Sequence, residues 1–404
     1  MGVVVDMKKI VVFEHGVETL SYFSMQIAKY LTQAGYAIFV YDLELEQPEE
    51  QMRKLRKFCK AGETVVITFN FNGLRGEDEF YNQGELFWKQ LRIPCINIMV
   101  DHPFYYPALL DKVEEELGRE LYYQVAIDRD HEKFMKRFYP QWKEHVIFLP
   151  LAGTRVEEIP KQKEYDVVFV GNYTLPSHFR KYIERIDDEY TAFYDGIIAD
   201  LIEHPDMTME TAFEKHLKRE MGEISDRDLR TCMGNMIFLD LYVRFYFRGD
   251  VVKRLAEAGI PVHIWGAGFE QVECEKPENI IIEGPTDSEG CLKALSKAKI
   301  ALNIMPWFKD GSHDRVYSAM LNGAVCVTDE SVYLKEECRD GENIMFYSLQ
   351  DYSDLPDRVR DLLEQDQQRE KIVQCAYEKV GKKHTWKQRT EVLIDWIENI
   401  WVSA

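Results

Sequence analysis

The chain has 404 residues, more than one ordinary hydrophobic core accommodates, so two domains of roughly 150 to 200 residues each are expected. Its residues are 46% hydrophobic and 30% charged, a composition that is typical of globular proteins and excludes a fibre or a disordered chain. A net charge of −20 without any basic run argues against nucleic acid and anionic membrane surfaces as partners, because both would repel the chain.

The first half of the sequence alternates apolar runs with amphipathic patterns, which predicts strands that alternate with helices. Predicted strands cover 9–16, 37–42, 64–70, 95–103, 123–128 and 145–151, and predicted helices cover 20–34, the residues leading up to 60, 79–91 and 132–137. Because the apolar runs are almost continuous, they indicate a parallel sheet with helices on both faces.

The second half repeats this rhythm after a polar linker at 155–164 that contains Pro160. Predicted strands cover 166–172, 262–268, 280–285, 300–304, 324–328 and 344–347. Residues 178–259 have a helical pattern, so we expect an insertion of three to four helices there. This insertion is either an interface for a macromolecular partner or a second copy, or a helical cover over the second sheet.

These patterns divide the chain into three segments. A Rossmann-like domain is expected at 1–154, a second one that contains the insertion at 155–385, and a C-terminal helix at 386–404 that crosses back to the first domain. The predicted fold class is α/β, with two parallel sheets facing a cleft.

Other patterns limit location and chemistry. Eight cysteines lack the spacing of zinc ligands, which favours free thiols in a reducing cytoplasm. No stretch reaches the roughly 18 uninterrupted apolar residues of a membrane helix, so no transmembrane segment is expected. P-loop and nucleophile-elbow motifs are absent, and acidic clusters such as Asp187-Asp188-Glu189 are typical of solvated helix faces, so we expect no metal site.

The stretch at 310–323 combines a loop, a short helix and a helix stop before an apolar run. Gly311 and Ser312 are typical of a loop and an N-cap, and they precede a helical pattern at 315–321. The helix is expected to end at Asn322-Gly323, where glycine can take positive φ.

The start of this helix favours anion binding. His313 and Arg315 stand beside N–H groups that a helix N-terminus leaves unpaired, so a phosphate would meet both dipole and charge. The alternative is an ordinary loop–helix–strand unit of an α/β domain.

Glycines and polar residues follow several strands of the second predicted sheet. Ligands of open parallel sheets bind outside the carboxyl ends of the strands, so these positions are binding-site candidates. The candidates are Gly171, Asn172, Trp265, Gly266, Gly268, Asn303 and Asp329. The turn at 265–268 lacks the complete GxGxxG pattern of dinucleotide sites, and tight structural turns are the alternative at each position.

Three residues at strand ends of the first domain are candidates for acid–base chemistry. Asp101 and His102 are adjacent, and a carboxylate beside an imidazole can tune proton transfer near neutral pH. Because neighbouring residues on a strand point to opposite faces, one of the two is expected to face the site. His15 is the second candidate, and a hydrogen-bonded structural role is the alternative for either histidine.

The second half contains an Arg-hydrophobic-aromatic helix, a glycine, an apolar strand, an acidic residue and a late His-Thr-aromatic element. These are Arg315-Val316-Tyr317, Gly323, 324–328, Asp329 and His384-Thr385-Trp386. Together with the glycine turns at 171 and 265–268, they resemble the GT-B glycosyltransferases, and most closely the branch named after the spore-maturation protein CgeB. The resemblance covers most of 166–401, and the first half only as a strand rhythm with a local match at Asp101-His102-Pro103.

The resemblance implies a GT-B fold, with an acceptor-side first domain and a second domain that binds a nucleotide sugar. It implies transfer of a hexose or N-acetylhexosamine, from a UDP-sugar by preference, to a hydroxyl on a protein or cell-surface glycan. The nucleotide sugar would be a co-substrate, and neither a cofactor nor a metal is expected. A nucleotide-sugar epimerase of similar fold and a non-catalytic nucleotide-sugar-binding subunit are the alternatives.

The resemblance also assigns roles to single residues. The implied contacts are Trp265 or its turn for the base, Ser318 for the ribose, Ser312, His313, Asp314 and Arg315 for the diphosphate, and Asp101, His102 or His15 for proton removal. Ser318 stands where many retaining members hold the ribose with a glutamate, and its hydroxyl cannot form a charge-assisted bond.

Overall fold

A computed structural model describes residues 8–403, which divide into two compact units. Unit 1 takes the described residues up to Pro150 together with those from Trp386 onward, and unit 2 is Leu151–Thr385. Each unit is built on one six-stranded sheet in which neighbouring strands pair in parallel. The predicted α/β class with two parallel sheets is therefore confirmed.

The strands and helices of the first 150 residues follow in chain order: β1 Lys9–Glu14, α1 Glu18–Gln33, β2 Ala37–Asp42, α2 Pro48–Phe58, β3 Thr64–Phe69, β4 Tyr81–Asn82, β5 Glu85–Leu86, α3 Phe87–Gln90, β6 Cys95–Met99, α4 Pro107–Glu116, β7 Tyr122–Ala126, α5 Arg129–Phe138 and β8 Val146–Phe148.

The sheet of unit 1 has the strand order β2-β1-β3-β6-β7-β8. Its central strands β3 and β6 are buried at every residue, as their continuous apolar runs predict. Each fully buried valine or isoleucine contributes about 1.5 to 3 kcal/mol relative to an exposed side chain. The free energy that holds this sheet together is therefore concentrated in its middle strands.

The elements of unit 2 follow as β9 Tyr165–Val170, α6 Arg180–Ile183, α7 Asp188–Glu203, α8 Met209–Met221, α9 Asp226–Gly234, α10 Ile237–Glu257, β10 Val262–Trp265, β11 Ile280–Ile282, α11 Ser288–Ser296, β12 Ala298–Asn303, α12 Asp314–Leu321, β13 Val325–Asp329, α13 Val332–Glu337, β14 Met345–Tyr347, α14 Leu355–Glu364 and α15 Asp366–Lys383, and α16 Trp386–Ser403 completes unit 1.

The sheet of unit 2 has the strand order β11-β10-β9-β12-β13-β14. Between β9 and β10 lies the helical insertion, which has five helices rather than the three to four expected, α6 being a single turn. Its last helix, α10, is the longest, and it buries Val243, Phe247 and Val251 along one face. The insertion is thus anchored to unit 2 by an apolar helix that leads directly into β10.

Helix α16 packs against α1 within unit 1. The rings of Phe23 and Trp386 lie 4.9 Å apart between centroids, and Leu393 and Ile397 are fully buried. Arg389 Nε donates to the Pro150 carbonyl oxygen at 2.6 Å, which fixes the helix to the end of the first segment.

The helix predicted at 79–91 is wrong. This segment instead forms the β4–β5 hairpin and the single turn of α3. Gln83 and Gly84 both have positive φ, at 54° and 81°, and an α-helix cannot pass through two consecutive left-handed residues. The apolar residues whose spacing suggested a helix are positioned instead by this hairpin and the short helix that follows it.

Across residues 8–403, no helix has the length and apolarity that crossing a membrane requires.

Candidate functional site

The strand order of unit 2 reverses at β9. β10 pairs with β9 on one side and β12 pairs with it on the other, so the carboxyl ends of β9 and β12 lie at a topological switch point. Crevices at such points bind the ligands of open α/β sheets. Gly171 and Asn172 follow β9, and Asn303 ends β12. Three of the predicted binding residues therefore lie where the fold favours a ligand.

Helix α12 spans Asp314–Leu321, and its N-cap lies one residue later than the sequence predicts. Its N-cap is His313, whose Nδ1 accepts the Arg315 backbone N–H at 3.4 Å and lies 2.6 Å from Asp314 Oδ1. The prediction of Ser312 as N-cap is wrong, because Ser312 is fully buried and its Oγ donates to the His313 carbonyl. The predicted stop is confirmed, with Gly323 at a φ of 76°.

Arg315 reaches from the start of α12 to the end of β9. Its Nη1 donates to the Val170 carbonyl oxygen, and its guanidinium carbon lies 5.9 Å from the centroid of the Phe169 ring. The path runs over Gly171, where an added Cβ would stand 2.8 Å from Arg315 Nη1. A glycine is required at this position because any side chain would displace the guanidinium.

Helix α10 of the insertion supplies a second arginine to the same place. Arg248 Nη1 donates to the Asn172 carbonyl oxygen, and its guanidinium carbon lies 5.8 Å from the Phe169 ring and 5.3 Å from the Trp307 ring. Its Nε is buried without a hydrogen-bond partner. Arg248 therefore keeps an unused donor at the carboxyl end of β9.

A third arginine, Arg244, lies one turn earlier on α10. Its guanidinium carbon is 4.1 Å from the centroid of Trp307, and its Nη2 donates to Asp240 Oδ2 at 2.8 Å. Arg244 and Arg248 therefore contact the same indole ring.

Two of the three arginines of this site, Arg248 and Arg315, are held by main-chain carbonyl oxygens and not by a carboxylate. In the part of the chain that the structure describes, neither Arg248 nor Arg315 forms an ion pair with a carboxylate. Burial, with Arg315 and Arg244 nearby, lowers the pKa of Arg248 well below its ordinary value, and burial also lowers the pKa of Arg315. A buried cation without a counter-ion is unfavourable, so this site favours an anionic ligand.

Two other titratable groups of the site are shifted toward their neutral forms. Burial raises the pKa of Asp329 to about 7, and its Oδ1 accepts the Met305 backbone N–H at 2.8 Å. Burial and the charge of Arg315 lower the pKa of His313. Burial thus favours the neutral forms of both groups.

The glycines of the turn at 265–268 serve packing. A Cβ at Gly266 would stand 2.1 Å from the Gly171 carbonyl oxygen, and one at Gly268 would stand 2.0 Å from that of Tyr173. Asn172 Oδ1 accepts the Ala267 N–H at 3.0 Å, which closes the two loops together. These residues press one strand-end loop against the next.

The indole of Trp265 has its ring contacts elsewhere. Its centroid lies 5.0 Å from that of Tyr165 and 6.4 Å from that of His263. The described contacts of this ring are with the sheet and not with the arginines.

Asn303 and Ser318 are buried in different surroundings. Asn303 Nδ2 donates to Thr328 Oγ1 at 2.8 Å, while its Oδ1 is buried without a hydrogen-bond partner at the end of β12. Ser318 is 3% exposed, and its Oγ accepts the Thr154 N–H at 3.2 Å. The Ser318 hydroxyl therefore fastens the segment that enters unit 2.

In unit 1 the strand order reverses at β1, which pairs with β2 on one side and β3 on the other. His15 follows β1 with a φ of 65°, and its Nδ1 lies 2.6 Å from Asp42 Oδ1 at the end of β2. The hydrogen bond to Asp42 raises the pKa of His15, whose side chain is half exposed. His15 thus has the access and the carboxylate partner that a proton acceptor needs.

Asp101 and His102 point into different surroundings, as their adjacency predicts. Asp101 Oδ2 accepts from Asn70 Nδ2 at 3.0 Å and from the Tyr106 hydroxyl at 2.6 Å, and its side chain is partly exposed. His102 is 9% exposed, and its Nδ1 accepts the Phe104 N–H at 3.2 Å while its ring packs on that of His131. The arrangement leaves Asp101 the more accessible of the two.

Sequence reasoning missed Arg244, Arg248 and Asp42. The two arginines are four residues apart in an apolar, aromatic helix, a spacing that places both on one face, and this was the available signal. Asp42 ends a strand as the other candidates do, yet the residues around it give no indication that it pairs with His15.

Oligomer formation through the insertion stays a prediction.

Comparisons with known proteins place these features in a family context. Residues 248–395 match the model of a family described as "Glycosyl transferase-like". The matched region begins at Arg248 and contains α12. No curated protein matches the chain.

Several solved structures are similar over nearly the whole chain. AviGT4, a glycosyltransferase involved in avilamycin A biosynthesis, is 12% identical with a TM-score of 0.53, covering 98% of this chain and 99% of its own. HepE of Anabaena in complex with UDP-glucose is 10% identical with a TM-score of 0.53, covering 97% and 99%. Sucrose-phosphate synthase of Thermosynechococcus elongatus is 11% identical with a TM-score of 0.50, covering 98% and 100%. The chain therefore has the GT-B fold, as the resemblance implied.

Proposed function

We propose that this protein is a glycosyltransferase that moves a hexose or N-acetylhexosamine from a nucleotide sugar to an acceptor hydroxyl on a protein or glycan. The observation that carries the proposal is the pair of guanidinium groups, Arg248 and Arg315, at the carboxyl end of β9. The glycosyl transferase-like match at 248–395 and the UDP-glucose complex of the similar HepE support a UDP-sugar as the donor.

The proposed role of the two arginines is to bind the donor diphosphate. Guanidinium groups bind phosphate oxygens through paired charge-assisted hydrogen bonds. In a water-poor site such donors also stabilise the charge that develops on the departing phosphate. The arginines would supply the charge that a metal ion provides in other enzymes, so we propose transfer that is independent of metal and of any cofactor.

The remaining donor contacts are proposed from the positions of residues at the strand ends and at the start of α12. We place the diphosphate against Arg315, with His313 and Asp314 at the start of α12, and the base toward the turn at 265–268. We propose a structural role for Ser318 and not a contact with the ribose, because its hydroxyl already accepts the Thr154 N–H. Asn303 Oδ1 has no hydrogen-bond partner among the described residues. We propose that it accepts a hydrogen bond from a hydroxyl of the nucleotide sugar or from an ordered water.

Unit 1 is the proposed acceptor unit, with His15 as the base. Asp42 holds His15 Nδ1, which leaves Nε2 of the half-exposed ring to take a proton from the acceptor. Asp101 would accept a hydrogen bond from the acceptor, because its Oδ2 is held by two donors and its side chain is accessible. His102, buried and bonded to the Phe104 N–H, would support the loop.

Membership of the CgeB-like branch is part of the proposal. Two of the elements that carry the resemblance touch each other: the rings of Tyr317 and His384 stack 4.4 Å apart, with an interplanar angle of 7°. His384 Nε2 also lies 3.1 Å from Glu337 Oε2. The His-Thr-aromatic element thus supports the helix that bears Arg315. A cytoplasmic location, expected from the free cysteines, completes the proposal.

The test is turnover by the purified chain with a panel of UDP-, GDP- and dTDP-sugars, measured as release of nucleoside diphosphate. We expect hydrolysis or transfer with a UDP-sugar, and its loss in Arg315→Ala. Arg339→Ala is the control, because the Arg339 side chain is 79% exposed and its ion pair, with Glu342 at 3.7 Å, lies on the surface. Full activity of Arg315→Ala would contradict the phosphate assignment. Isomerisation of the sugar without release would identify an epimerase, and binding without turnover a non-catalytic subunit.

A further inference from the structure

Arg244 is held differently from the other two arginines of the site. Arg248 and Arg315 bind main-chain carbonyl oxygens, whereas Arg244 donates to the Asp240 carboxylate, whose side chain is 3% exposed. Its guanidinium also stacks on Trp307 at 4.1 Å, on the ring that Arg248 approaches at 5.3 Å. Arg244 is therefore fixed beside Arg248 with its charge already balanced.

The charge of the proposed ligand changes during the reaction. The diphosphate of a nucleotide sugar has one ionised oxygen on each phosphate, which matches the two arginines that lack a carboxylate. Loss of the sugar creates a terminal phosphate whose second pKa is about 6, so the product carries further negative charge at neutral pH. The site must therefore stabilise more negative charge after bond cleavage than before it.

We propose that Arg244 stabilises the charge that appears on the leaving phosphate, a role that rests on the proposed glycosyltransferase function. The acceptor oxygen bonds to the anomeric carbon, and the bond from that carbon to the phosphate oxygen breaks. The electron pair of the broken bond stays on the phosphate oxygen, and the acceptor proton passes to the base, for which we propose His15.

The surroundings of Arg244 suit this role. Asp240 balances its charge while the site is empty, which limits repulsion among three clustered cations. Trp307 holds the guanidinium plane, so the orientation of this cation is fixed before the charge forms. Preorganised donors stabilise a transition state more than a ground state because they need no reorientation when the charge develops.

Binding of UDP and of UDP-glucose to the purified chain tests the proposal by calorimetry. In Arg244→Gln we expect the affinity for UDP to fall about tenfold and that for UDP-glucose less than threefold, because only the product carries the extra charge. The kcat for UDP-glucose hydrolysis should fall on the order of a hundredfold with KM almost unchanged. Arg244→Lys, which keeps the charge, should recover part of the loss.

Arg254→Gln is the matched control on the same helix. Arg254 pairs with Asp250 four residues earlier at 2.7 Å and lies 4.6 Å from the Tyr352 ring, which repeats the surroundings of Arg244 away from the crevice. The control should leave both affinities unchanged. An equal loss of both affinities in Arg244→Gln, or the same losses in Arg254→Gln, would overturn the role of Arg244 alone. Failure of the unmodified chain to bind either nucleotide would overturn the proposed donor, and this role with it.

Discussion

Arg315 and Arg248 donate to the carbonyl oxygens of Val170 and Asn172, on either side of Gly171. One arginine comes from the helix after β12 and the other from the inserted helix α10, so two distant segments meet at one strand end. The last residue of β9 and the loop that follows it orient the two guanidinium groups through main-chain carbonyl oxygens. Both arginines are thus positioned by main-chain atoms, which remain when a neighbouring side chain is substituted.

Substitution of Gly171 should lower both the stability of the chain and its affinity for UDP, whereas substitution of a control glycine should lower stability alone. In Gly171→Ala the new Cβ would stand 2.8 Å from Arg315 Nη1, and alanine is strained at a φ of 148°. We expect a loss of about 1 to 3 kcal/mol in the free energy of unfolding and a fall in UDP affinity of about tenfold or more. Gly222→Ala, at a φ of 77° with open space around it, should lose stability alone. Similar UDP affinity in both variants would contradict the position assigned to Arg315.

Ser318→Ala distinguishes a structural hydroxyl from a ribose ligand. Because Ser318 Oγ accepts the Thr154 N–H, its removal leaves a partly buried donor without this partner and should cost about 1 kcal/mol of stability. UDP affinity should stay within about twofold. Chemical denaturation and calorimetry measure the two quantities, and lost affinity at unchanged stability would restore the ribose role that the sequence suggested.

The acidic limb of the pH–rate profile should report His15. A base acts in its neutral form, so activity should rise with pH through the His15 pKa, which the hydrogen bond to Asp42 raises. In Asp42→Asn the pKa of His15 should fall, and the acidic limb should move to lower pH with a reduced kcat. An unchanged limb in this variant, or full activity of His15→Gln, would exclude His15 as the base.

The buried carboxyl of Asp329 should make stability depend on pH. Its pKa is raised by burial to about 7, so between about pH 4 and pH 7 the folded chain holds a proton that the unfolded chain has released. Its contribution to the free energy of unfolding should fall as pH rises through this window. Thermal unfolding of Asp329→Asn should show a smaller loss between pH 5 and pH 8, and an identical loss would contradict the assignment.

Removal of metal ions should leave activity intact. Among residues 8–403, Glu14, His15 and Asp42 form a group whose ligand atoms lie within 4.8 Å of one another, at an exposed site. A metal there would occupy the proposed base, so added Zn²⁺ is expected to inhibit and EDTA to have no effect on UDP-sugar hydrolysis. Loss of activity in EDTA that Mg²⁺ or Mn²⁺ restores would contradict a metal-independent transfer.

The sheets could be predicted because their signal is local. Continuous apolar runs such as β3 and β13 identify buried parallel strands wherever they occur. The order of the strands depends on pairing between distant segments, which no local pattern contains. The segment at 79–91 was misjudged because its apolar spacing imitates a helix, whereas the left-handed Gln83 and Gly84 form a tight turn.

The candidate site could be predicted only in part. Arg315 and Gly171 stand at a helix start and a strand end, where local rules favour a ligand. Arg248 lies within a helix that the sequence presents as apolar, and tertiary packing alone brings it to β9. His313 caps α12 in place of Ser312 because an imidazole nitrogen can accept a backbone N–H as a hydroxyl does.

The most direct test of the donor site is the affinity for UDP of the unmodified chain, Arg248→Gln, Arg315→Gln and the double variant, measured by calorimetry. Each single loss of a charge-assisted contact should weaken binding about tenfold to a hundredfold, and the double variant should show no measurable binding. Unaltered UDP affinity in both single variants, with folding intact, would contradict the central claim that these two arginines bind the donor diphosphate.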